Sequence, residues 1–325
     1  MAHQLTTREN GFVEFAFTGS RSAIWHGLGN ELKVGAPLDE WKKSAGMDWE
    51  VFEAPVQFAV AGLDSHLLVP DKKVLFRSDT NESLAVVGDK FNVVQPEQVI
   101  EFFRDLTDQH GMQLSTAGTL FGGRRFWALA ETGKDDEVVD GDEVKGHLLL
   151  VTACDGSMAT TAKFVSTRVV CNNTLTVAMG EGSKQLVKVN HRSEYDPDAI
   201  KIDLGLIDEA WANMMKNLRG LASKKMSKAA TEKFYKERLF DKTKSEEEQG
   251  WGVKRELERL MELATNGTGS EFSKGTAWGA LNGATELYTH GPENGRRDPS
   301  NLFWDSYNGR LEGLKMDTYN RLIAA

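Results

Sequence analysis

Two arginines and a tryptophan on one short stretch are the residues here best suited to chemistry. Phe121-Gly122-Gly123-Arg124-Arg125-Phe126-Trp127 combines guanidinium groups with aromatic rings. Guanidinium groups track phosphates and exposed rings stack bases, the combination a single-strand nucleic-acid binder uses. In a strand, Arg125 and Trp127 share one face and Phe126 takes the other. Lys163, Arg168, Lys184 and Lys188 would extend such a face. The competing reading is a hairpin with its aromatics in the core and its arginines in water. A second basic run, Lys216, Arg219, Lys224, Lys225 and Lys228, falls on an amphipathic helical pattern. It meets a polyanion or is only the solvated face of a helix. The net charge of −9 counts against a dedicated duplex-DNA binder but not against a local basic groove.

Covalent chemistry has weaker candidates. Cys171 closes an apolar run in Ser166-Thr167-Arg168-Val169-Val170-Cys171-Asn172-Asn173-Thr174-Leu175, and His191 is the nearest available base. A cysteine after two valines reads better as a small core residue. Asn172 and Asn173 are costly inside regular structure, because their amides compete with the backbone. They are expected to cap the segment from Thr174 to Met179. The histidines, His3, His26, His66, His110, His147, His191 and His290, form no HxH or HExxH pattern and no CxxC accompanies them, so no metal site is assigned. No phosphate-binding glycine loop is present, no catalytic residue is assigned and no cofactor is expected. The cysteines, Cys154 and Cys171, do not make a disulfide framework.

The elements that must position these residues form an α+β chain. Residues 1 to 36 read as irregular, followed by a short helix from Pro37. Strands are predicted over 49–60, 73–78, 83–87 and 91–94, and a strong helix from Pro96 to Gly111 carries Val99, Phe102, Phe103 and Leu106 on one face. A hairpin over 112–131 turns at the two glycines. Glu131 to Glu143 reads as a solvated acidic loop, and strands follow over 147–153 and 159–170 with a turn at Asp155-Gly156-Ser157. Helices then dominate, over 203–230, 231–240, 251–264, 274–289 and from about Asp317. The expected division is a sheet-rich core, 1–194, antiparallel or mixed with one strong helix, and a helical arm, 195–325, that packs back on it. No apolar run approaches the ~18 residues of a membrane helix, and the polar first residues lack a signal core. A cytoplasmic protein with no membrane association is expected.

Several segments together resemble one family. They are Ile24-Trp25-His26-Gly27-Leu28-Gly29, Asp155-Gly156-Ser157, the Ser166–Leu175 segment, and Thr276-Ala277-Trp278-Gly279-Ala280-Leu281-Asn282-Gly283-Ala284-Thr285-Glu286 with His290. In this order they are similar to the DUF932 family, the phage/plasmid-like proteins of mobile genetic elements. Cys154 stands where that pattern favours a more polar residue. The resemblance carries over no catalytic residue. It implies a bacterial host cytoplasm and a role in mobile-element DNA metabolism, such as a recombination accessory, or in host interaction. Two functions follow as expectations. One is single-stranded DNA binding through Arg124, Arg125, Trp127, Arg168 and Lys188, with oligomerisation possible. The other is binding of a host protein to blunt a defence system. An enzyme centred on Cys171 is the third.

Overall fold

Strands gather in the first half of the chain and helices in the second. The computed structural model describes residues 5–19, 28–62, 64–170, 173–176, 187–189, 207–291, 305–306 and 309–325. These divide into two compact units. The first holds residues 1–133, 147–164 and 185–206; the second holds 134–146, 165–184 and 207–325. The chain passes between them repeatedly, where a single boundary near residue 195 was expected.

In the first unit a mixed sheet runs in the order β2 (Asn30–Leu32), β1 (Phe15–Thr18), β6 (Gln113–Leu120), β7 (Arg125–Glu137), β8 (Glu143–Ala153), β9 (Thr160–Arg168), with β11 (Val187–Val189) also on β9. β1 pairs in parallel with β2 and antiparallel with β6. Residues 1 to 36 therefore contain two strands where irregular chain was expected. Short strands interrupted by glycines give little periodic signal. A Cβ on Gly29, at φ +108, would sit 2.3 Å from the Phe15 ring, so this crossing of β2 with β1 needs a glycine.

Helix α2 (Pro96–His110) forms as its spacing predicts, and Val99, Ile100, Phe102 and Phe103 are all buried. A separate sheet, β3 (Val51–Ala59), β4 (His66–Arg77) and β5 (Ser83–Gly88), is antiparallel, and α1 (Leu38–Ser44) starts just after Pro37. Residues 91–94 are not a strand; Val94 packs inward from an extended loop. The unit also buries a carboxylate. Glu14, fully buried, accepts from Arg77 Nη2 at 2.7 Å, from Arg8 Nε at 2.9 Å and from Thr119 Oγ1. Arg77 stacks on Trp49 at 4.2 Å and also donates to Asp79. A buried charge of this kind persists only when paired and hydrogen-bonded on every side.

The second unit holds α3 (Ile207–Ser223), α4 (Lys228–Leu239), α5 (Trp251–Asn266), α6 (Ala277–His290) and α7 (Arg310–Ala324), with the far ends of β7, β8 and β9 and with β10 (Asn173–Thr176) paired antiparallel to β9. The predicted single helix over 203–230 is two, broken at Lys224–Ser227, where Ser227 caps α4 by accepting from Ala230 N–H. Helix α6 is central and buried on almost every side. Gly279 and Gly283, one turn apart, make that possible: a Cβ on Gly283 would lie 2.7 Å from the Ala264 backbone nitrogen of α5.

The acidic stretch from Glu131 is strand as far as Glu137, with Thr132 inward and Glu131, Asp135 and Glu137 outward, because a strand rich in charge still alternates with period two. The last helix begins at Arg310, two turns before Asp317. Gly309 and Gly313 weaken the helical signal there, and burial of Leu311, Lys315 and Leu322 outweighs them.

Candidate nucleic-acid interface

The hairpin carrying Arg124, Arg125 and Trp127 forms as the sequence predicts. Leu120 pairs with Arg125 across a 3₁₀ turn, Phe121–Gly123, in which all three residues have positive φ. Both faces of the strand after it are covered. Phe126 is fully buried and meets Trp49 edge-on at 6.1 Å; Trp127 is 2% exposed and stacks on Phe15 at 5.8 Å. A ring so enclosed cannot stack a base, so Trp127 is a core residue. Arg125 is half-buried, lies over the Phe121 ring at 4.6 Å and reaches Asp155 at 3.9 Å. Burial lowers its pKa from the usual arginine value, against the attraction of Asp155. Arg124 is exposed. Lys163 is buried in β9. Lys188 pairs through its backbone with Thr161, and its side chain lies outside the described residues, as does Lys184.

Arg168 is in the second unit and is 2% exposed. It does not face a partner. Its guanidinium forms a bidentate pair with Asp142, at 2.6 and 2.8 Å, and donates to the Gly269 carbonyl at 2.8 Å. Trp278 Nε1 donates to the same carboxylate at 2.8 Å. Asp142 came from the stretch read as solvated loop, and it is wholly buried. Two motif segments, the one containing Arg168 and the one opening at Thr276, therefore meet at one carboxylate. Asn282 donates to the Trp278 carbonyl within α6. Glu286 accepts from Thr268 N–H at 3.1 Å, and burial raises its pKa above the usual carboxylate range despite those bonds. These contacts hold the helices together.

The remaining motif residues are distributed as follows. Asp155 accepts from Ser157 N–H at 2.9 Å and makes the expected turn. Asn173 and Thr174 lie in β10, opposite Arg168 and Thr167. Trp25, His26, Gly27, Cys171, Asn172 and His191 lie outside the described residues. Cys154 is buried, and burial, then the nearby Asp155, pushes its thiol up to about 12, which leaves it protonated and inert. Among the described residues no cluster of His, Cys, Asp or Glu could hold a metal ion.

What the sequence weighed lightly is the basic run at the α3–α4 break. Met226 N–H donates to the Gly275 carbonyl at 2.9 Å, Ala277 N–H donates to the Lys224 carbonyl at 2.9 Å, and Lys225 bridges Thr276. These backbone bonds run residues 275–277, just after Lys274, alongside residues 224–226, just before Lys228. Lys224, Lys225, Lys228 and Lys274 are all exposed, and among the described residues none of them has a carboxylate within ion-pair distance. Helices usually place acids in the first turn, where the dipole is positive. Neither α4 nor α6, whose first turns adjoin these lysines, has one. Arg219, further back on α3, is already tied to Asp136 and the Glu137 carbonyl. On α5 of the same unit, Trp251 is 71% exposed with Arg255 over its ring at 5.3 Å.

The fold is thus a two-unit α+β protein with strands in the N-terminal half and helices in the C-terminal half, and no described helix is long and apolar enough to cross a membrane. The profile of a protein family described as a domain of unknown function, DUF932, matches residues 83–308. That is more than half of the chain, which belongs to this family. No curated protein and no solved structure matches the chain.

Proposed function

We propose that this chain binds the phosphate backbone of single-stranded nucleic acid through the lysine corner of its second unit, as an accessory protein in mobile-element DNA metabolism. The observation that carries the reading is electrostatic. Lys224, Lys225, Lys228 and Lys274 are all exposed, with no carboxylate within ion-pair distance among the described residues; Lys224 and Lys225 follow the end of α3, while Lys228 and Lys274 stand at the starts of α4 and α6, which lack acids, in a chain of net charge −9. The helix dipoles disfavour Lys228 and Lys274 at the starts of α4 and α6, neighbouring like charges repel one another, and a polyanion relieves both. Release of counterions from the nucleic acid adds to the attraction. The exposed Trp251, with Arg255 over its ring, lies about 22 Å along α5 from the end that precedes Lys274, and is a stacking platform for an unpaired base of a single strand several nucleotides long.

The test is fluorescence anisotropy of a labelled single-stranded oligonucleotide at about 50 mM salt, where electrostatic attraction is strong. Wild-type protein binds with a Kd on the order of 1–10 µM, and the triple charge reversal Lys224→Glu, Lys225→Glu, Lys228→Glu loses about 100-fold while melting at the wild-type temperature. Absence of binding at about 50 µM protein, or an unchanged Kd in the folded variant, overturns the proposal.

A further inference from the structure

Strands β3 and β4 run on past the sheet that supports them. β5 pairs with β4 only from Lys72 to Phe76, so the part of the hairpin carrying Gln57–Ala59 and His66–Leu68 is two strands wide and paired only with itself. No described residue from Phe52 to Val74 is buried. Yet the sequence there is apolar. Phe58 is 47% exposed, Val60 40%, Leu67 42% and Leu68 62%. Phe58 sits opposite Leu67, so with the period of two Phe58, Val60, Leu67 and Val69 share one face. The other face carries Gln57, Ala59, His66 and Leu68. From Val56 to Pro70 the single carboxylate is Asp64, and no lysine or arginine is present.

We infer that this arm is a self-association surface, occupied by the same arm of a second copy of the chain. A two-stranded ribbon is at best marginally stable alone in water, so its covering must be present whenever the chain is folded. The exposed apolar side chains offer several hundred Å², at the top of what a monomer shows and too little for a stable interface by itself. Reciprocal packing of two arms doubles it and, with the flanking strand surface, passes the ~1,000 Å² that a specific contact needs. Charge selects the same place. Copies of net charge −9 repel each other, and this nearly neutral ribbon is where that repulsion is least. A twofold contact sets each apolar residue against its own counterpart region, so a single apolar face is self-complementary. At the arm both β3 and β4 are open edges; Pro55 with its register shift lies on β3 and Pro70 on β4, and a proline cannot donate to a new ladder. The arms therefore pack face to face instead of extending the sheet edge to edge.

Light scattering on the full chain across a concentration series tests this. Wild type is expected to be a dimer, or an even multiple, at about 20 µM, and Phe58→Lys with Leu67→Lys a monomer with unchanged circular dichroism. Should that variant misfold, replacing residues 57–68 by Asn-Gly removes the tip and closes a two-residue turn, with the same monomer expected. A wild-type monomer at about 100 µM overturns the inference. So does a dimer that survives either folded variant, or a wild-type monomer whose arm instead carries it onto lipid vesicles.

Discussion

The two basic regions of this protein differ in the opposite sense from their sequences. Arg124-Arg125-Phe126-Trp127 in the first unit has the residue types of a nucleic-acid reader. Yet its rings face Phe15 and Trp49, and Arg125 is occupied by Phe121 and Asp155. The Lys224–Lys228 run in the second unit looks like an ordinary solvated face. Backbone bonds to Gly275 and Ala277 lay it alongside the segment that follows Lys274, between the end of α3 and the starts of α4 and α6. Residue type nominates an interface; exposure and charge compensation decide it. Aromatic side chains bury large areas and go to the core whenever both faces of a sheet are covered, whereas unpaired lysines stay in water.

That contrast can be broken in several ways. The largest effect is expected for Trp127→Ala, which removes a core ring and should cost about 3–5 kcal/mol of stability by denaturant unfolding. Oligonucleotide affinity, measured where the variant is still folded, should stay within about twofold, since the ring touches no ligand. A large affinity loss at intact fold would return the site to the hairpin. Next in size is Trp251→Ala. Loss of one stacked base should weaken single-strand binding by about tenfold, or ~1.4 kcal/mol, while duplex binding and melting temperature hold. The smallest effect concerns the frame of the second unit. Burial disfavours the ionised form of Glu286, so that group favours folding while protonated and loses the contribution as pH rises through its raised folded pKa. Glu286→Gln keeps an acceptor for Thr268 and carries no charge. Its melting temperature should exceed wild type slightly at neutral pH, and the difference should close near pH 4, where unfolded glutamates titrate. A gain that grows toward low pH would contradict this account.

Much of the frame could be read from the residues, because its signals were local. The apolar spacing of α2, the glycine turn between β6 and β7 and the Asp155–Ser157 turn each lie within a few neighbours. The site was harder for a physical reason. Asp142 sits among acids that are solvated, and only its distant partners Arg168 and Trp278 single it out. Arg168 looked like a surface cation because its carboxylate partner was hidden in that run. Lys274 lies some 50 positions from Lys224 in sequence, and a bridge between Lys225 and Thr276 has no periodic signature. The motif Thr276–Glu286 turned out to be a packing motif, with Gly279 and Gly283 admitting a neighbouring helix and Thr276 capping its own.

We propose that binding is electrostatic and resides in the lysine corner. The salt dependence of oligonucleotide affinity measures it most directly. Four phosphate contacts predict a slope of log K against log salt of about −2.8 for a single strand, falling to nearly zero when Lys224, Lys225, Lys228 and Lys274 are all replaced by glutamine. A slope that persists in the folded quadruple variant would contradict the account and put the charge elsewhere.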